Sequence, residues 1–237
     1  MGKSKNRPSA QNVGRSNQSK QNTTQAGWSD QKKLLVAIAG IAVLVALIVT
    51  IALTVTYCGA KDDYVAMTVE YVDANGETKA GEIVIRLRAD VAPITAKNFK
   101  SLVSSGFYDG LTFHRIMPGF MIQGGDPSGD GTGGSDTAPI KGEFASNGVK
   151  NPLSHTRGVI SMARTNDPNS ATSQFFIVND DSAARSLDGN YAAFGEVVSG
   201  MDVVDGITGT ECVYNERNEL SQPVHPPKIL SARIVEE

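Results

Sequence analysis

The strongest constraint on the fold of this chain is a run of 24 residues, Leu34 to Tyr57, without one charged side chain. At about 1.5 Å of rise per residue, a helix of this length spans roughly 36 Å, which is enough to cross a bilayer with some tilt. A buried core helix is the weaker interpretation for a segment so long and so uniformly apolar. We therefore predict one transmembrane helix over residues 34–57.

Two processed forms of this segment compete with a permanent anchor. A cleaved signal peptide normally begins closer to the terminus, has a shorter apolar core and ends in a small-residue cleavage site. A lipoprotein signal needs small residues just before a cysteine, whereas Cys58 follows the bulky Tyr57. The sequence favours an uncleaved anchor and leaves cleavage, or lipidation at Cys58, as the alternatives.

The charges on the two sides of the apolar run differ strongly. Residues 1–33 carry seven basic side chains against Asp30 alone, a net charge of +6, and are otherwise rich in Ser, Asn and Gln. Such a composition predicts a disordered tail. The positive-inside rule places this tail in the cytoplasm, so residues 58–65 form a linker to an extracytoplasmic domain over 66–237. We expect a single-pass protein of the cell membrane.

The rest of the chain carries a net charge of −9 within the total of −3. A domain so acidic repels phosphate backbones, so nucleic acid is not an expected partner. Two cysteines, Cys58 and Cys212, are too few for a disulfide framework, and a bridge between them is a minor alternative. The three histidines stand apart from any cluster with ligand spacing, so we expect neither a metal nor a cofactor.

Alternation of apolar and polar residues dominates the C-terminal part of the chain. Residues 67–72 and 82–87 alternate in this way, with turn-forming residues at 73–76 between them, which predicts a β-hairpin. A helix is predicted to begin at Pro93 and to end at Gly106. Four more strand-length apolar runs follow, at Gly158 to Ala163, Phe175 to Val178, Ala192 to Val198 and Ile229 to Val235. Many short strands with few helices predict a mainly β sandwich or closed barrel.

Three blocks of residues are specific enough to indicate a family. They are Phe113 to Pro127 (FHRIMPGFMIQGGDP), Ser161 to Ala163 with Ser173 to Ile177, and Leu187 to Gly189 with Phe194 and Gly195. Together they closely resemble the cyclophilin family of peptidyl-prolyl cis/trans isomerases, here in a membrane-anchored bacterial form. The resemblance implies a closed eight-stranded antiparallel β-barrel capped by two helices, with a peptide groove on its outer wall. Periodicity alone indicates only the mainly β fold.

The residues of these blocks also suit the chemistry of proline isomerisation. Turning an X-Pro bond means losing amide resonance across a barrier of about 18–20 kcal/mol, without exchange of a proton or a covalent bond. A catalyst therefore needs a dry apolar pocket for the proline ring and a fixed donor aimed at the imide nitrogen. Phe120, Met121, Phe176 and Leu187 are candidates for the pocket, and Arg115 is the candidate donor.

The resemblance implies a role for ten residues in all. Arg115 matches the family's catalytic arginine, and Gln123 matches the glutamine that positions the substrate. The remaining eight match substrate-binding positions: Phe120, Met121, Phe176, Leu187 and Tyr191 in the proline pocket, and Ala163, Arg164 and Gln174 in the groove for the preceding residues. The implied partners are proline-containing peptides and protein clients, and we expect a monomer.

The chain departs from the family pattern at two positions. Ser186 stands where well-studied members carry a tryptophan, and Tyr191 stands where they carry a histidine. Tyr191 keeps an aromatic wall and a hydroxyl group, so catalysis should be unharmed. Ser186 lacks the indole donor and the large contact on which tight binding of cyclosporin, the family's cyclic peptide inhibitor, would depend.

Two functions from different classes fit this sequence. The first is an isomerase for X-Pro bonds in extracytoplasmic proteins, whose uncatalysed rotation takes tens to hundreds of seconds. The second is a binding module or chaperone that holds proline-containing segments, with incidental turnover. Binding needs only the pocket, whereas catalysis also needs the donor, so the presence of Arg115 favours the enzyme.

Overall fold

The computed structural model describes Leu35, residues 38–47 and residues 63–236. Residues 38–47 are helical and are described here by themselves. Within these described ranges, no helix combines the length and the apolar character needed to cross a membrane. The predicted tail over 1–33, most of the predicted transmembrane segment over 34–57 and most of the predicted linker over 58–65 lie outside the described residues.

Residues 63–236 form a mainly β unit, and the predicted closed eight-stranded antiparallel barrel is confirmed. The described strands are β1 (Tyr64–Val72), β2 (Thr78–Leu87), β3 (Thr112–Met117), β4 (Met121–Asp126), β5 (Val159–Met162), β6 (Phe175–Val178), β7 (Ala193–Ser199), β8 (Cys212–Tyr214), β9 (Leu220–Pro223) and β10 (Lys228–Val235). The strand order around the barrel is β1-β10-β3-β4-β6-β5-β7-β2, while β8 and β9 form a separate hairpin. The barrel has no free sheet edge, because β1 and β2 are paired to each other.

Three α-helices accompany the barrel in the described residues: α1 (Pro93–Ser104), α2 (Ala184–Leu187) and α3 (Met201–Thr208). Helix α1 begins with proline at its first turn, as the sequence predicts, and Gly106 follows its end with φ of 72°. Helix α1 packs against β7 and β10, and α3 packs against β1 and β2. These two helices agree with the pair that the resemblance implies, whereas the sequence analysis did not locate α3.

The first hairpin shows how local sequence sets the register. Strands β1 and β2 pair over their full length, from Tyr64 opposite Arg86 to Val72 opposite Thr78. The turn between them is held by Asp73, whose Oδ1 accepts hydrogen bonds from the backbone N–H groups of Asn75 and Glu77, both at 2.9 Å. Strand β1 begins at Tyr64, two residues before the predicted start of the domain at 66.

Alternation along β3, β4 and β6 divides their side chains between the barrel interior and its outer wall. Phe175 and Ile177 of β6 enter the main core, whereas Phe176 and Val178 belong to a second, smaller cluster outside it. In β3, the pairing shifts register between Phe113 and Arg115. This bulge lets Phe113 face the core while Arg115 faces outward, and the outer wall of these three strands carries the candidate site.

Candidate active site

Arg115 lies on β3 directly opposite Gln123 of β4. Its Nη1 donates a hydrogen bond to Gln123 Oε1 at 3.3 Å. Gln123 Nε2 donates in turn to Gln174 Oε1 at 2.8 Å, and Gln174 Nε2 donates to the carbonyl oxygen of Gly133 at 2.7 Å. The series orients both glutamine amides, so that three of the predicted site residues form one connected polar row across the groove.

An apolar patch lies beside this polar row. Met121, Phe176 and Leu187 are at most 5% exposed, and the partly buried Phe120 and Tyr191 pack against them. The Phe176 and Tyr191 rings meet edge to face, with centroids 5.8 Å apart and an interplanar angle of 83°. The patch is therefore an apolar, partly aromatic surface on the wall of the cavity.

Arg164 lines the cavity next to Tyr191. Its guanidinium carbon lies 4.6 Å from the centroid of the Tyr191 ring and 5.2 Å from that of Phe144. Its Nε and Nη2 donate to the carbonyl oxygen of Asn190 at 3.0 and 2.8 Å. Arg164 is therefore fixed by two rings and a backbone acceptor, and it braces Tyr191 rather than reaching freely into solvent.

The patch is supported from below by a buried histidine. The His155 ring stacks on Phe176 with centroids 6.1 Å apart and is only 1% exposed. Its Nδ1 lies 2.8 Å from Asp188 Oδ1, and its Nε2 lies 3.0 Å from Ser161 Oγ. Burial lowers the pKa of His155, although the hydrogen bond with Asp188 opposes this shift. The serine, histidine and aspartate resemble a hydrolytic triad, but Ser161 is fully buried and does not line the groove.

Glu219 is a site residue that the sequence analysis missed. Its carboxylate binds the Arg115 guanidinium through two hydrogen bonds, from Nε to Oε2 and from Nη2 to Oε1, both at 2.7 Å. The hydrogen bond from Arg115 lowers the pKa of Glu219 to about 2. The only local signal was the turn-forming pair Asn215 and Asn218, which follows the short segment Cys212 to Tyr214 and favours a hairpin. No local pattern indicates its partner, which lies 104 residues away in sequence.

The polar row, the apolar patch and Glu219 surround one cavity of about 780 Å³. The cavity is lined by every one of the ten predicted site residues: Arg115, Phe120, Met121, Gln123, Ala163, Arg164, Gln174, Phe176, Leu187 and Tyr191. Glu219 and its neighbours on the β8–β9 hairpin complete the rim. Within the part of the chain that the structure describes, no group of three or more His, Cys, Asp or Glu side chains is placed to hold a metal ion.

Comparisons with known proteins agree with this geometry. Residues 71–234 match the family model of the cyclophilin type peptidyl-prolyl cis-trans isomerases. A peptidyl-prolyl cis-trans isomerase of Acinetobacter baylyi is 48% identical over 163 residues, which cover 67% of this chain and 82% of the relative. An isomerase of Streptomyces antibioticus is 45% identical over 164 residues, covering 67% of this chain and 95% of the relative.

Solved structures show the same relationship. A cyclophilin type isomerase of Cryptosporidium parvum superposes with a TM-score of 0.61 at 28% identity, covering 74% of this chain and 99% of its own. The same protein in the presence of the dipeptide Ala-Pro gives a TM-score of 0.56 at 29% identity, covering 72% of this chain and 99% of its own. The chain belongs to the cyclophilin-type peptidyl-prolyl cis-trans isomerase family, and it is an enzyme of that class.

Proposed function

We propose that the barrel accelerates X-Pro rotation by combining an apolar proline pocket with Arg115 as the donor to the imide nitrogen. The observation that carries this proposal is the position of Arg115 Nη1, 3.3 Å from Gln123 Oε1 and beside the patch of Met121 and Phe176. A proline ring on the patch brings its nitrogen within reach of this edge of the guanidinium. Gln123 holds the adjoining substrate amide.

The physical basis is selective binding of the twisted state. In a planar amide the nitrogen lone pair is delocalised, so a donor there gains little; in the twisted amide the lone pair is localised and accepts a hydrogen bond. A charged guanidinium in a partly dry site is a strong donor to it. Each increment of about 1.4 kcal/mol in this selective stabilisation raises the rate about tenfold.

The test is cis/trans exchange on a short Ala-Pro peptide, measured by NMR with the full chain. Wild type should accelerate exchange, and Arg115→Ala should lower the acceleration by at least about tenfold. Arg115→Lys is the matched control, because it keeps the charge but loses the planar fork of donors. Equal rates in wild type and Arg115→Ala contradict the arginine mechanism. A wild type that binds the peptide without accelerating exchange favours the chaperone or binding module.

The proposed clients are proteins that fold or act outside the cytoplasm, and the proposed location is the cell membrane. Support comes from the uncharged run over 34–57, the +6 segment before it and the scarcity of basic residues just after it. Protease added to intact protoplasts should remove the barrel and leave a small membrane-embedded fragment. A barrel protected until lysis reverses the orientation. A barrel free in the medium with a new N-terminus near Cys58 identifies a cleaved signal.

A further inference from the structure

The two edges of the Arg115 guanidinium face different partners. The edge formed by Nε and Nη2 is occupied by the Glu219 carboxylate at 2.7 Å on each side. Nη2 also lies 2.8 Å from Met117 Sδ. The remaining nitrogen, Nη1, faces the cavity, with Gln123 Oε1 at 3.3 Å and Met121 Sδ at 3.9 Å. The Glu219 carboxylate thus binds the Nε and Nη2 edge, and leaves Nη1 for the proposed contact with the substrate.

Glu219 is itself held in place by the β8–β9 hairpin. Ser221 Oγ donates to Glu219 Oε2 at 2.8 Å. The Glu219 backbone N–H donates to Asn215 Oδ1 at 3.0 Å, and the Asn215 backbone N–H donates to the Glu219 carbonyl oxygen at 2.9 Å. Asn218 completes the turn with φ of 59°, a conformation that asparagine tolerates well. The carboxylate is therefore fixed before a substrate arrives.

We propose that Glu219 is a positioning residue, which clamps the Nε and Nη2 edge of Arg115 so that Nη1 is presented to the imide nitrogen. This inference rests on the function proposed above. An unrestrained arginine on an outward-facing strand position samples many rotamers, and ordering it during the reaction would raise the barrier. A two-point contact with a carboxylate fixes both the position and the plane of the guanidinium.

An inhibitory role for Glu219 is the alternative to positioning. A carboxylate partly neutralises the guanidinium, and it would inhibit the enzyme if the substrate had to displace it from Arg115. The geometry favours positioning, because the contact leaves Nη1 on the cavity side. The two roles predict opposite signs for the same substitution, so a single activity measurement distinguishes them.

The experiment measures catalysed exchange on the Ala-Pro peptide with the full chain. Glu219→Ala should lower kcat about tenfold and leave KM nearly unchanged, because the donor is misplaced while the apolar pocket is intact. Glu219→Gln keeps the size of the side chain and should lower kcat as well, since it loses the charge and the two-point acceptor. Glu211→Ala is the matched control: it removes an exposed carboxylate beside the same hairpin, outside the cavity, and should behave like wild type.

A spectroscopic measurement separates positioning from a general loss of structure. The Arg115 Nε–Hε signal, assigned by its absence in Arg115→Ala, should be sharp in wild type and broadened by water exchange in both Glu219 variants. Reduced kcat together with this broadening supports the inference. Unchanged or increased kcat in both Glu219 variants, with Arg115→Ala inactive, overturns the inference and leaves the proposed function standing. A wild type without acceleration overturns the proposed function, and the inference with it.

Discussion

Phe175 and Phe176 are neighbours on β6, but they belong to different parts of the molecule. Phe175 points into the barrel and meets the rings of Phe99, Tyr108 and Phe113 edge to face, at centroid distances of 5.5, 5.5 and 5.9 Å. Phe176 points outward and contacts Tyr191 and His155. Because side chains alternate along a strand, one short segment supplies both the core and the groove. A one-residue shift in the pairing register of β6 would turn Phe175 outward and Phe176 into the core.

The largest effect in this comparison is expected for Phe175→Ala. Truncating a fully buried phenylalanine costs about 3–5 kcal/mol, since the surrounding rings cannot collapse into the space it leaves. Thermal and urea unfolding should show this loss. Relative to wild type, the exchange activity per folded molecule should fall by a much smaller factor than the equilibrium constant for folding. A variant with wild-type stability would show that the interior rings do not determine stability.

A smaller loss of stability, but a larger loss of activity, is expected for Phe176→Ala. The ring lines the cavity, so water can solvate part of the space that it leaves, while the proposed proline pocket loses an aromatic surface. Exchange activity should fall by about tenfold or more, together with a loss of stability below that of Phe175→Ala. Val178→Ala, on the same outer face but outside the cavity, is the control. Equal activity in Phe176→Ala and Val178→Ala would contradict the division between the two faces.

The sequence predicted the elements whose signal is local. The apolar run Phe175 to Val178 coincides with β6, and the proline at 93 marks the beginning of α1. Helix α3 was missed because it is only eight residues long and contains Gly206, which lowers its helical signal. The ten candidate residues came from the family resemblance. The alternation in β3, β4 and β6 explains why those of them on these strands share the outer wall of the barrel.

What the sequence could not provide is contact between distant segments. Glu219 reaches Arg115 only because the β8–β9 hairpin packs against β3, and nothing in the order of residues 212–223 indicates that neighbour. The sequence likewise gives no sign that His155 contacts Ser161 and Asp188. Both cases depend on tertiary packing, which a pattern of period two cannot encode.

Acid should weaken the support beneath the groove. Burial lowers the pKa of His155, and also that of His114, in the folded protein. In the unfolded chain the histidine pKa is about 6.5, so as the pH falls the unfolded chain takes up protons before the folded protein does. The stability associated with neutral histidine is present above pH of about 6.5 and is lost as the pH falls from there towards the folded pKa. Below a pH of about 4.5, Glu219 adds a further loss as the pH approaches its folded pKa of about 2.

The measurement is the unfolding temperature of wild type and His155→Gln between pH 8 and pH 5. Wild type should lose stability towards pH 5 more steeply than His155→Gln, whose remaining slope comes from His114 and the carboxylates. Parallel slopes would show that His155 does not remain neutral in the folded protein. The outward-facing ring of Phe176 would then lack the pH-dependent support that distinguishes it from the interior ring of Phe175.

The smallest effect is expected for Tyr191→Phe. The described side-chain contacts of this residue are made by its ring, edge to face with Phe176 at 5.8 Å and beneath the Arg164 guanidinium at 4.6 Å, and phenylalanine preserves both. Exchange activity should stay within about twofold of wild type, whereas Tyr191→Ala should lose several-fold, because it removes both contacts from the groove wall. Peptide titration and exchange rates on the three proteins provide the test. A Tyr191→Phe variant as impaired as Tyr191→Ala would show that the hydroxyl group, rather than the ring, is what this chain uses at the position where the family pattern has histidine.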